Sequence, residues 1–120
     1  MSNQHLTLGK QAEAIACDFL QEQGLIHKES NYRCKQGEID LVMLQGQTLV
    51  FVEVRYRKST CFGTAAETID RRKQRKLILA ARHYLSCRRK QQSACRFDVI
   101  SMTGPIESAS IDWIEHAFIS

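Results

Sequence analysis

Leu49-Val50-Phe51-Val52-Glu53-Val54 is the most apolar stretch of the chain, and a glutamate interrupts it. Just before it runs a second strand-like segment, Glu38-Ile39-Asp40-Leu41-Val42-Met43-Leu44, and Gln45-Gly46-Gln47-Thr48 separates the two. A two-residue hairpin loop favours glycine at its first central position, so Gly46-Gln47 closes a tight turn with Gln45 opposite Thr48. That register puts Asp40 across from Glu53, and Glu38 across from Arg55. Opposed side chains on one face have Cβ atoms roughly 4.5–5.5 Å apart, and like charges there repel. A fold alone gains nothing from such a pair. A divalent cation between the carboxylates turns the repulsion into a binding site.

Outward from the hairpin, residues 8–22 read as a helix. Leu8, Ala12, Ile15, Ala16, Phe19 and Leu20 form an apolar stripe at helical spacing, and Gly24 is placed to end it. Glu13 falls at the edge of the stripe, either on the rim of the core or reaching past it into a site. A strand near Leu25–Arg33 and a turn at Lys35-Gln36-Gly37 lead into the hairpin. Residues 57–66 read as a loop, followed by a helix near Ile69–Leu85 with Thr68 or Asp70 as N-cap. Its stripe is Ile69, Leu77, Ala80, Ala81, Tyr84 and Leu85. Lys73 projects inside that stripe, so it either snorkels past the helix end or points into a polar site beneath it. Cys95–Met102 reads as a fourth strand, Gly104-Pro105 as a turn, and Ile111–Phe118 as an edge segment carrying Trp113. The order helix, three strands, helix, strand specifies an α/β fold, a mixed central sheet flanked by helices, in one domain spanning 1–120.

Composition narrows the setting. The apolar share of 43% and charged share of 25% are those of an ordinary globular protein. No apolar run approaches the roughly 20 residues needed to span a bilayer, so no membrane association is expected. Five cysteines, an odd number without a C-x-x-C pair, point to reduced thiols in a cytoplasmic protein, and away from a disulfide scaffold or structural zinc. The net charge is only +4, yet Arg55 to Lys90 holds twelve of the 17 Lys and Arg and only two acids, Glu67 and Asp70. A basic half beside a carboxylate cluster suits a polyanion held while a metal works on it; a solvated helix face is the plainer alternative.

Strand alternation projects Glu38 and Asp40 from one face, and Glu53 and Arg55 from the matching face of the neighbour. Mg²⁺ keeps several waters and binds through one or two carboxylates plus substrate phosphate. Asp40, Glu53 and the Val54 carbonyl provide such a partial shell, for Mg²⁺ or Mn²⁺. Arg55 or Lys73 beside it would steady a pentacovalent transition state. The competing reading is an ion pair serving only the fold, Glu53 with Lys73 or Glu38 with Arg55.

Asp40, a gap of twelve residues, then Glu53-Val54-Arg55 resembles the core of the PD-(D/E)xK nucleases, which include restriction endonucleases and Holliday-junction resolvases. The chain is more closely similar to the YraN-type family of small bacterial endonuclease-like proteins. Gly9-Lys10-Gln11-Ala12-Glu13-Ala14, Asn31-Tyr32-Arg33, Gly37-Glu38-Ile39-Asp40-Leu41-Val42, Phe51 to Arg57, Lys73-Gln74-Arg75-Lys76-Leu77 and Arg96-Phe97-Asp98-Val99 carry that match. The resemblance implies a restriction-endonuclease-like α/β/α core, metal ligation by Asp40 and Glu53, and Glu13 as a third acid near the site. Its motif expects lysine where this chain has Arg55. Arginine does not surrender a proton at neutral pH, which removes it as a general base.

Three functions remain in play. The first is a Mg²⁺- or Mn²⁺-dependent nuclease acting on DNA, on branched or repair intermediates. In it Glu13, Asp40, Glu53, Arg55 and Lys73 form the site, and Arg57, Lys58, Arg71, Arg72, Arg75 and Lys76 hold the nucleic acid. A branched substrate would favour a homodimer. The second is a non-catalytic nucleic-acid-binding module with a weakened site. The third is a scaffold whose acids are internal ion pairs.

Overall fold

The hairpin forms as its turn residues dictate. Gly46 takes a φ of 61°, in the left-handed region that L side chains avoid, and Gln45 pairs with Thr48 across it. The computed structural model describes residues 7–59, 69–90 and 92–118. In chain order they form α1 (Leu8–Glu22), β1 (Ile26–Cys34), β2 (Gly37–Gln45), β3 (Thr48–Arg57), α2 (Arg71–Cys87), β4 (Cys95–Thr103) and β5 (Ser110–Phe118). A 3-10 turn at Ile106–Ser108 precedes β5.

The strands make one mixed sheet in the order β1-β2-β3-β4-β5. Only β3 and β4 run parallel; the other neighbours are antiparallel. Parallel strands need a crossover, and α2 lies within the one between β3 and β4.

Caps set the helix limits. The Thr7 hydroxyl accepts from the Lys10 amide at 3.1 Å and starts α1. At its far end the Leu25 amide returns to the Leu20 carbonyl at 3.0 Å. Asp70 accepts from the Lys73 amide at 2.8 Å and starts α2, so this helix begins and ends two residues later than its apolar stripe indicates. The alternative cap, Thr68, lies outside the described residues, as does most of the 57–66 loop.

Both faces of the sheet are covered, which explains why β3 is apolar along its length. Ala12, Ala16 and Leu20 of α1 pack on Leu41, Met43, Val50, Val52, Ile100 and Met102. Leu77, Ala80, Ala81 and Tyr84 of α2 pack on Tyr32, Ile39, Val42, Leu49, Phe51 and Phe97. Phe51 meets Tyr84 edge-on at 5.7 Å and Phe97 at 5.5 Å; truncation of so buried an aromatic to alanine costs about 3–5 kcal/mol.

The fit of α2 against the sheet is close at one point. A Cβ added to Gly37 would lie 3.3 Å from the Lys76 carbonyl oxygen and 3.4 Å from the Lys76 Cβ.

The edge strand β5 is fastened by a buried acid. Asp98 accepts from Arg96 Nε at 3.0 Å, from Trp113 Nε1 at 2.9 Å and from the His116 amide at 3.1 Å. Asp98 thus forms a buried ion pair with Arg96 within β4, and Trp113 packs at the sheet edge against Phe19. Among the described residues no helix is long and apolar enough to cross a membrane.

Candidate functional site

The hairpin register persists from Gln45↔Thr48 to Leu41↔Val52, and there the β2–β3 ladder ends. Asp40 and Glu53 are the next residue on each strand. They face each other where the strands part, rather than as the laddered neighbours that the turn geometry implies. Strand β2 also changes its facing here. Ile39 packs on the α2 side, whereas Leu41 and Met43 pack on the α1 side, although strict alternation would put all three together.

Beyond the ladder, the Val54 amide donates to Asp40 Oδ2 at 2.8 Å. The side chain thereby satisfies a donor that the departing strand has left behind. Glu53 and Arg55 alternate with Val52 and Val54, which pack on the α1 side, so both face α2. From the first turn of α2, Lys73 reaches down to place Nζ 3.5 Å from Glu53 Oε2. Arg55 Nη1 lies 3.9 Å from the same oxygen. Lys73 thus points into a polar site, and one of the two ion pairs weighed from sequence is present. The other is replaced: Glu38 is paired across β1–β2 with Arg33, at 3.4 Å.

Both acids are almost buried, Asp40 at 8% exposure and Glu53 at 7%. Burial pushes Asp40 up from 3.8 to about 8, and the negative charges of Glu53 and Glu13 push the same way. The Val54 amide and Lys73 oppose them only in part. Burial also raises Glu53, offset by Lys73, Arg55 and a hydrogen bond from Asp40. Burial and the charge of Glu53 thus hold Asp40 toward its protonated form, and a hydrogen bond joins the two carboxyls.

Glu13 stands on the flank of this pair. Asn31 Nδ2 donates to its Oε1 at 2.9 Å, and Lys10 Nζ lies 3.5 Å from the same oxygen. Lys10 also donates to Asn31 Oδ1 at 2.8 Å. Asn31 reaches α1 from a strand because its backbone is left-handed, with φ 52°; asparagine tolerates that conformation better than most residues. Among the described residues no three His, Cys, Asp or Glu side chains gather as a metal cluster. The arrangement is two carboxylates with a third acid held apart.

A sequence profile of the Uncharacterised protein family UPF0102 matches residues 12–102. The chain belongs to UPF0102. It is 49% identical to the UPF0102 protein of Stutzerimonas stutzeri over 113 residues, 93% of this chain and 94% of that one. The UPF0102 protein of Pseudomonas savastanoi pv. phaseolicola is 52% identical over 114 residues, 93% of each chain. That of Aeromonas hydrophila is 50% identical over 112 residues, 92% of this chain and 83% of its own. This is the YraN-type family to which the motifs point, and the α/β fold is consistent with a restriction-endonuclease-like core.

In this UPF0102 chain the cations expected to hold nucleic acid lie on the first turns of α2 and at or just past the end of β3. Arg71, Arg72, Arg75 and Lys76 are exposed on the first turns of α2. Lys73 and Lys76, with Arg33 and Glu38, line a cavity of about 360 Å³. Lys58 lines another, of about 370 Å³, with Tyr56 and Leu8. Arg57 is exposed at the end of β3, where its carbonyl accepts from the Gly104 amide at 2.9 Å. Tyr56 donates its hydroxyl to the Gly104 carbonyl at 2.7 Å. Asn31 is the residue that sequence reasoning missed. It stands in one of the motifs that carry the family resemblance, yet sequence reading gives it no role, although an asparagine in the middle of a strand is disfavoured.

Proposed function

We propose that the protein is a divalent-metal-dependent nuclease that hydrolyses DNA phosphodiester bonds. One observation carries the reading: two carboxylates are buried together where strands part, and two cations lie on one of them. Buried charge is retained against its desolvation cost where it is paired or binds metal.

The donor set fits a hard cation. Asp40 and Glu53 offer oxygen only, and the Val54 carbonyl shares a strand edge with the amide that already reaches Asp40. These three would hold Mg²⁺ or Mn²⁺, which when bound activates water and neutralises phosphate charge. Lys73 supplies the ammonium that the nuclease motif expects at position 55. Arg55 offsets charge on the phosphate without exchanging a proton. Glu13, fixed by Asn31 and Lys10, orients water at the outer edge. Arg57, Lys58, Arg71, Arg72, Arg75 and Lys76 hold the backbone of the polyanion.

The test is cleavage of linear, flapped and four-way-branched DNAs in Mg²⁺ and Mn²⁺, with Glu53→Gln protein prepared in parallel. Cutting by the wild type alone establishes the activity. Binding without cutting supports the alternative that Arg55 at the lysine position favours, a non-catalytic nucleic-acid-binding module. Arg55→Lys then distinguishes a latent site from a lost one.

A further inference from the structure

A second cavity lies on the α2 side of the sheet, at the end away from the carboxylates. Its volume is about 640 Å³, within the ordinary range for small-molecule sites. Leu49 and Tyr84, each 4% exposed, form its floor. Gln47 and Gln92 stand at its side, and the exposed Lys28 and Lys90 at its rim. No Asp or Glu is found among its described lining residues. The neighbouring acid, Glu29, is already held by Arg88 at 2.7 Å.

Tyr84 is the informative member. Its ring is fixed edge-on by Tyr32 at 5.2 Å and by Phe51. Its hydroxyl makes no hydrogen bond among the described residues, yet no described buried side-chain oxygen is sealed without a partner. Tyr84 lines the cavity, and its hydroxyl is not sealed away from solvent. A polar atom so placed is ready for a ligand group, since buried hydroxyls ordinarily find partners.

We propose that this cavity is a nucleotide-binding site, separate from the carboxylate pair. A nucleobase has an apolar face for Leu49 and a donor–acceptor edge for Tyr84, Gln47 and Gln92. Its phosphate meets Lys28 and Lys90 in charge-assisted contacts. A sugar phosphate has no flat apolar face to lay on the floor. Leu49 is four residues from Glu53 on β3, roughly 13 Å along the strand, so the two sites are distinct. The nucleotide is either free or one unit of a nucleic-acid strand.

The experiment is a metal-free titration of the intact protein, followed by calorimetry and amide chemical shifts. One arm uses deoxyadenosine monophosphate, the other a short single-stranded oligodeoxynucleotide. Saturable binding is expected, with shifts at Gly46–Leu49 and Ser93–Ala94. Lys28→Ala with Lys90→Ala should weaken it about tenfold, and Tyr84→Phe several-fold. Glu53→Gln should bind as the wild type does, which keeps this result independent of the nuclease reading. Binding of the mononucleotide assigns a free nucleotide; binding of the oligonucleotide alone assigns a unit within a strand. Absence of saturable binding in both arms overturns the proposal. So does binding unchanged by those substitutions, or equalled by ribose 5-phosphate.

Discussion

Lys73, from the first turn of α2, sets its ammonium 3.5 Å from the Glu53 carboxylate. Arg55, from the same strand as that glutamate, lies 3.9 Å from it. One acid is thus served by a flexible ammonium and a planar guanidinium from different elements, and the two groups have different chemical capacities.

Replacing Lys73 with methionine should separate catalysis from metal capture. Loss of an electrostatic partner at a reacting centre typically costs about 10²–10³ in rate. Mn²⁺ affinity, measured by calorimetry, should hold or tighten, because a competing positive charge has gone. A Lys73→Met protein that cleaves DNA at the wild-type rate would remove this residue from the site.

The raised Asp40 makes the metal-free fold pH-dependent in a defined direction. The folded protein keeps a proton that the unfolded chain releases above 3.8. This contribution to stability is complete below that pH, declines as pH rises toward about 8, and is lost above it. Asp40→Asn removes the dependence, so its melting temperature should exceed the wild type's at pH 8 by more than at pH 5. Thermal denaturation of both proteins across that range, without divalent metal, checks the sign.

Metal binding should expel the proton on Asp40. A carboxylate must be ionised to ligate, so affinity rises with pH and binding releases protons. About one proton per Mn²⁺ is expected at pH 7, read from calorimetry in buffers of different ionisation enthalpy. Glu53→Gln and Asp40→Asn should abolish binding while remaining folded.

Asp98 should behave in the opposite way to Asp40. It is 1% exposed, and Arg96, Trp113 and the His116 amide all donate to it. Breaking a buried ion pair from one side typically costs about 3–5 kcal/mol. Asp98→Ala should unfold at much lower denaturant concentration, whereas Mn²⁺ affinity of the folded fraction should be unchanged.

Much of the site was readable because its signals are local. Gly46 specifies the turn, the turn specifies the register, and a charged residue at position 53 stands out against Val52 and Val54. Helical projection placed Lys73 on the apolar side of α2, but the distance to Glu53 depends on how the helix docks. Periodicity does not report docking. The end of the ladder at Leu41↔Val52 and the changed facing of β2 also escaped, since both arise from competition between strands. Asn31 depends on a left-handed backbone inside a strand, a conformation that tertiary contacts impose. The choice of Arg33 for Glu38 followed from pairing with β1, whose register has no tight-turn signal comparable to Gly46.

The absence of a side chain at Gly37 bears on more than local fit. A methyl group there would press on the main chain of Lys76, one helical turn beyond Lys73. The β1–β2 turn therefore acts as a spacer under α2. Its thickness governs how far an ammonium carried by the helix can descend toward a carboxylate carried by the sheet. A single added carbon would push the Lys76 main chain back by a few tenths of an ångström, and so bear on the separation of the two charges without touching either.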